Sequence, residues 1–148
     1  IINKSYQMKE FEIFQLGQLQ FINNAIYTLV VVLMTALAFY LIRRRNELNL
    51  PTYSKVVLSL FCTCIVFFGL QVGGFLYQTQ RMMSYQLSEL NASGVSISNT
   101  AQNWIDFVGH TFQDGVPSVS PDVPTIILWA LIAFMFVGGI WFRMPDQK

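Results

Sequence analysis

The sequence predicts an all-α integral membrane protein with three transmembrane helices, its N-terminus outside and its C-terminus inside, and a short amphipathic helix in the outer loop. Three runs without a charged residue, 24–42, 56–80 and 123–142, give the first indication. At about 1.5 Å per residue, each is long enough to cross a hydrocarbon core of about 30 Å. The second indication is that only 11% of the residues are charged, against about 25% in soluble domains. We therefore expect the 148 residues to form a single membrane domain.

Residues 1–23 are predicted to be an outer, interfacial segment that leads into the first span. Their apolar spacing fits neither a clean helix nor a clean strand and so does not decide between them, and Gly17 weakens any long helix there. The segment lacks a cationic start followed by an apolar core, so it does not resemble a signal peptide. Because the chain begins at Ile1 and not at Met, we expect either a removed leader or a longer natural N-terminus.

An inner loop, 43–55, separates the first span from the second. The loop is so short that the two spans must form an antiparallel helical hairpin, and Pro51 breaks the helix within it. The second span, 56–80, is flanked by Lys55 and Arg81. The spacing of Leu76, Met83, Leu87 and Leu90 would extend its helix to residue 90, with Ser84 on another face and a stop at 91–94.

The outer segment, 81–122, is predicted to contain a short helix at 101–113, capped by Asn99 or Thr100 and ended by Gly115. Its apolar side chains recur at helical spacing and would lie on the membrane surface or against another helix: Trp104, Phe107, Val108 and Phe112. The third span, 123–142, follows and carries Trp141 at its far end, where aromatic rings favour the headgroup zone.

Topology is predicted from the lysines and arginines beside the spans. The inner loop has Arg43, Arg44, Arg45 and Lys55, and the tail, 143–148, has Arg143 and Lys148. The opposite side has Lys4, Lys9 and Arg81. The side with more positive charge is expected to face inward.

Glycines give the second span a surface for close helix packing. Gly69 and Gly73 form a small-xxx-small pattern that Gly74 extends, and the third span has Gly138 and Gly139. The pattern leaves two alternatives: contact between spans of the same chain, or a surface for another subunit. Gln71 lies on another face of the helix. A side-chain amide buried in a membrane is expected to form a hydrogen bond with a partner, and such a bond contributes on the order of 1 kcal/mol.

The three spans contain no ionisable Asp, Glu, His, Lys or Arg side chain. Proton relays and charge-coupled pumps normally place such groups within the membrane, so we do not expect this chain alone to form one. The lone histidine, His110, has Asp106 four residues earlier. The pair fits a metal ligand, a quinone contact or a simple surface pair, and we expect the surface pair. We predict no catalytic residue, no cofactor and no metal site.

Three short segments resemble the start of mitochondrial-type ATP synthase subunit a. They are Lys9-Glu10-Phe11-Glu12-Ile13, Asn23-Asn24 and Gln71-Val72-Gly73-Gly74. The resemblance covers at most the first half of the chain, and the arginine helix essential to that family has no counterpart here. It would imply a diverged partial relative, and no functional residue is transferred from it.

The sequence favours a non-catalytic membrane subunit that scaffolds or stabilises a larger complex. Its expected partners are the lipid bilayer and either other integral membrane subunits or further copies of itself. The sequence has no extended cluster of Lys and Arg that would predict nucleic-acid binding. The membrane would be a bacterial inner (plasma) membrane or a mitochondrial inner membrane.

Two other functions are alternatives. The first is a homo-oligomeric ion channel or pore with a polar lining: Thr28, Thr35, Ser59, Thr63 and Gln71. The second is an enzyme subunit that uses His110 at the membrane surface.

Overall fold

The computed structural model describes residues 2–49 and 51–142, with side chains from residue 9 onward. The elements in chain order are α1 (Ile2–Leu48), α2 (Thr52–Ala92), α3 (Asn99–Val108), a 3₁₀ turn (Phe112–Asp114) and α4 (Val123–Trp141). The described part is all-helical, and α1, α2 and α4 are each long and apolar enough to cross a membrane. The predictions of an all-helical fold and of three apolar helices long enough to cross a membrane are confirmed.

Helices α1 and α2 are much longer than the spans predicted within them. The 47 residues of α1 correspond to about 70 Å and the 41 residues of α2 to about 60 Å, roughly twice the hydrocarbon thickness. Residues 43–48, expected in a loop, belong to the last turns of α1. Helix α2 begins at Thr52, and Asn49, directly after α1, takes the left-handed conformation (φ 49°) that asparagine tolerates.

The chain divides into two compact units, of which unit 1 comprises residues 1–25 and 74–120. Met83 and Leu87 of α2 and Ala101 and Ile105 of α3 are its buried apolar core. Three α1 side chains pack against this core: Ile13, Phe14 and Phe21. A Cβ added to Gly17 would lie 2.5 Å from Sδ of Met83, so glycine lets the helices approach closely.

This contact explains why the N-terminal segment is helical and not irregular. Glycine at position 17 destabilises the helical conformation by about 1 kcal/mol relative to alanine. Tertiary packing along α1 outweighs that cost, so the long helix forms although Gly17 weakens it.

The short helix differs from its predicted bounds of 101–113. Ser98, and neither Asn99 nor Thr100, is the N-cap, and its hydroxyl accepts a hydrogen bond from the backbone N–H of Ala101. Glu10 of α1 accepts hydrogen bonds from both the N–H and the hydroxyl of Ser98. The helix ends at Val108 because Gly109 adopts the left-handed conformation (φ 67°) that terminates helices.

Unit 2 comprises residues 26–73 and 121–148, of which 143–148 lie outside the described residues. The predicted inner tail with Arg143 and Lys148 falls in this segment. The core of unit 2 is formed by buried side chains from α1, α2 and α4: Val31, Ala38, Ile42, Leu58, Cys62, Ile65, Trp129, Phe136 and Ile140. Asp122 begins α4 by accepting a hydrogen bond from the backbone N–H of Thr125 (3.1 Å).

Candidate functional site

Gly69 and Gly73 of α2 lie directly against α4. A Cβ added to Gly69 would overlap the indole ring of Trp129, and one added to Gly73 would overlap the side chain of Thr125. Only residues without a side chain allow α2 and α4 this approach. Of the two alternatives for the glycine pattern, these two residues therefore occupy the contact within the chain.

The other predicted packing residues have different surroundings. Gly74 is buried, and Gly139 faces α1, where a Cβ would lie 2.9 Å from Cγ2 of Ile42. Gly138 faces open space, with nothing within 4 Å of the position of its Cβ. Gln71 is exposed, so contacts within the described chain do not bury its amide, and the expectation that the amide pairs within the membrane stays a prediction.

The C-terminus of α4 is capped by side chains from α1. Nη1 of Arg45 donates to the carbonyl of Ile140 (3.2 Å) and to Oδ1 of Asn46 (2.8 Å), while Nδ2 of Asn46 donates to the carbonyl of Gly139 (3.2 Å). The last carbonyls of a helix have no partner within the helix, and a cation there also complements the helix dipole. Sequence reasoning assigned Arg45 only to topology and missed this role.

The remaining predicted anchors among the described residues lie near the same end of unit 2. Arg43 and Arg44 share the carboxylate of Glu47 at 3.0 and 3.4 Å, with exposed side chains. Nζ of Lys55 lies 5.5 Å from the ring centroid of Trp141, a cation–π distance. The indole N–H of Trp141 donates to Oγ of Ser59 (3.3 Å). We call Arg43, Arg44, Arg45, Lys55 and Trp141 the basic end.

His110 is buried, with 6% of its surface exposed, so the prediction of a surface pair with Asp106 was wrong. Nδ1 lies 3.1 Å from Nη2 of Arg81. Arginine only donates, so Nδ1 accepts, and the N–H at Nε2 donates to the carbonyl of Gly115 (3.0 Å). The pairing with Asp106 fails because the chain leaves the helix at Gly109, one residue before His110.

Polar contacts fix the loop on both sides of this ring. Ser84 of α2, expected on another face, is fully buried and donates to the backbone carbonyl of His110 (2.7 Å). The backbone N–H and the hydroxyl of Thr111 both donate to Asp114 (2.8 and 2.9 Å), and these bonds lower the pKa of Asp114. We call Arg81, Ser84, His110 and Gly115 the His110 cluster.

The chemistry open to His110 is limited by these bonds. Both ring nitrogens are engaged, one as an acceptor and one as a donor. Binding a metal or relaying a proton would first require Arg81 or Gly115 to give up its contact. The arrangement suits a histidine that joins α2 to the loop.

The predicted apolar stripe of the short helix is divided among several environments. Trp104 and Val108 are half-buried, and the Trp104 ring lies edge-on to Phe21 of α1, with centroids 6.5 Å apart. Phe112 lies beyond the helix and contacts Tyr85, with centroids 5.7 Å apart. Phe107 is exposed over 79% of its surface.

Hydroxyls named for a pore lining bond within their own helices. Oγ1 of Thr35 donates to the carbonyl of Val31, and Oγ1 of Thr63 donates to the carbonyl of Ser59, both at 2.8 Å. Ser59 itself accepts from Trp141. These contacts are typical of hydroxyls in membrane helices and do not themselves indicate a lining.

Among the described residues, no group of three or more His, Cys, Asp or Glu side chains is placed to hold a metal ion. Comparison of the chain with protein families, with curated proteins and with solved structures finds no match.

Proposed function

We propose that the chain is a non-catalytic integral-membrane subunit that stabilises a larger membrane protein complex. The observation that carries this proposal is exposed apolar surface outside the three long helices. Phe107 and Val116 are 79% and 69% exposed, and Phe112 and Val119 are exposed as well. Large apolar side chains that are exposed this close together along the chain favour contact with a partner or a membrane.

Charge favours a protein partner over the membrane surface for this segment. Helices that lie on membranes usually carry Lys and Arg on their polar face. Residues 99–119 contain Asp106 and Asp114 and no Lys or Arg, so anionic headgroups would repel the segment. The short helix is thus proposed to pack against another subunit and not to lie flat on lipid.

The long helices also leave most of their apolar surface uncovered. Only 17%, 22% and 17% of the most apolar windows of α1, α2 and α4 are buried within the chain. One α4 face is uninterrupted and ends at the open Gly138: Ile127, Leu131, Phe134 and Gly138. Lipid covers such faces in a lone subunit, and neighbouring helices replace that lipid in a complex.

A pair of phenylalanine substitutions tests the proposed role. Phe107→Ala is expected to reduce complex formation by tenfold or more, about 1.4 kcal/mol, because aromatic anchors dominate interfaces. The measurement is the fraction of tagged full-length chain in the large species on native gels after mild-detergent extraction. Phe67→Ala is the matched control, since Phe67 is 74% exposed but lies within α2 among candidate lipid-facing residues.

Three outcomes would contradict the proposal. They are a chain that migrates alone, a complex that contains only copies of this chain, and an equal loss in both variants. The second outcome would favour the homo-oligomeric alternative.

For orientation, we propose that the basic end faces inward and residues 81–122 face outward, in a bacterial inner or mitochondrial inner membrane. A chain with Cys62→Ala and Cys64→Ala can carry single cysteines at exposed Asn49 or Asn91. An impermeant maleimide added to intact spheroplasts or mitoplasts is expected to label Asn91→Cys at once. Asn49→Cys should react only after permeabilisation, and the reverse pattern would invert the topology.

A further inference from the structure

We propose that the basic end binds the phosphate of an anionic phospholipid headgroup, with Lys55 as its main contact. The described ends of three helices meet there. Arg45 of α1 bonds the carbonyl of Ile140, and Lys55 of α2 lies over the next residue, Trp141. Two cations therefore contact adjacent residues at the end of α4.

The positive charge at this end is not neutralised within the described chain. Residues 43–55 contain four cations and one carboxylate. That carboxylate, Glu47, is shared by Arg43 and Arg44. In the part of the chain that the structure describes, Lys55 forms no ion pair with a carboxylate.

Arg45 also retains capacity to donate. Its Nη1 donates to neutral oxygens, of Ile140 and Asn46. Its Nε is buried and has no hydrogen-bond partner among the described residues. A buried donor without a partner is costly, and the neutral oxygens that accept from Nη1 leave the positive charge of the guanidinium uncompensated.

The surroundings favour a lipid over a soluble anion. Trp141 is partly exposed, with its N–H bonded to Ser59, as in the aromatic belts that mark headgroup depth. In the two turns of α2 that follow Lys55, the exposed side chains are apolar: Val56, Val57 and Leu60. A phospholipid would place its phosphate at Lys55 and its acyl chains along these residues, whereas inorganic phosphate would use only the charge. Basic sites between membrane helices bind anionic headgroups in this way.

The test compares two lipids on the full chain in detergent. Native mass spectrometry is performed with equal concentrations of dioleoylphosphatidylglycerol and dioleoylphosphatidylcholine. The wild-type chain should retain phosphatidylglycerol in clear preference. Lys55→Gln should lower that preference about fivefold, the effect expected for one cation near an anionic lipid, and Lys55→Arg should preserve it.

Lys9→Gln is the matched control, because it removes one cation from unit 1 and should leave the preference unchanged. Equal losses in Lys55→Gln and Lys9→Gln would show diffuse attraction and overturn the site, as would no preference in the wild type. Displacement of phosphatidylglycerol by millimolar inorganic phosphate would identify a soluble-anion site instead. The lipid site does not depend on the proposed subunit role, which the Phe107 comparison tests separately.

Discussion

Gly69→Leu is expected to destabilise the folded chain by about 3 kcal/mol, the upper end of the usual range for overpacking. Even the Cβ of the new side chain would overlap the indole of Trp129, which is itself buried in the core of unit 2. A bulky ring held among core residues cannot turn aside, so α4 would have to move away from α2. The rest of the leucine side chain would enlarge that displacement.

The matched control is Gly138→Leu, the same substitution in a helix of the same unit. Nothing lies within 4 Å of the Cβ position at Gly138, so the stability of the isolated chain should change little. Unfolding in increasing dodecyl sulfate, followed by circular dichroism, compares the two variants. Equal stability of both would mean that α2 and α4 do not make the contact described.

The same pair separates folding from assembly. If Gly69→Leu weakens a complex, the loss is explained by the damaged α2–α4 contact. If Gly138→Leu leaves the chain stable and still reduces the complex, the open α4 face is a subunit interface. Retained assembly in Gly138→Leu would place the interface elsewhere and leave lipid on that face.

The three apolar helices were predictable because the bilayer imposes a simple rule on charge. Each run without charge is long enough to span, and α1, α2 and α4 contain these runs. The α1 segment before residue 24 could not be predicted in this way, because its apolar residues do not repeat at a clear helical spacing. The side that faces the core includes Gly17 and buried Asn24, while the other side exposes apolar residues: Phe11, Leu16, Leu19 and Ile22.

The candidate sites were less predictable because they depend on contacts between distant residues. Arg45 bonds Ile140 across 95 positions, and His110 meets Arg81 across 29. Neither pair has a local spacing that would reveal it. The glycine pattern indicated close packing, but only the position of Trp129 decides which helix Gly69 meets. One local signal was available at Gly109, since glycine often ends a helix, and it would have removed the pairing of His110 with Asp106.

His110→Ala is expected to destabilise unit 1 by about 3 kcal/mol, because it leaves a cavity at a buried position and removes both hydrogen bonds of the imidazole ring. The guanidinium of Arg81 would lose its acceptor and the carbonyl of Gly115 would lose its donor. Hydrogen exchange should rise at the backbone amides of residues 109–115. Gln113→Ala, at an exposed position of the same loop, should leave the exchange unchanged.

His110→Gln then distinguishes a structural histidine from a reactive one. Glutamine carries one acceptor and two donors, so it can keep a bond to Arg81 and to Gly115 while it loses the imidazole chemistry. We expect His110→Gln to recover at least half of the lost protection and to support normal assembly of the complex. A variant that folds and assembles normally but abolishes an activity of the complex would contradict the structural role and favour the enzyme-subunit alternative. Because His110→Ala alone would impair both fold and activity, only this second substitution separates the two explanations.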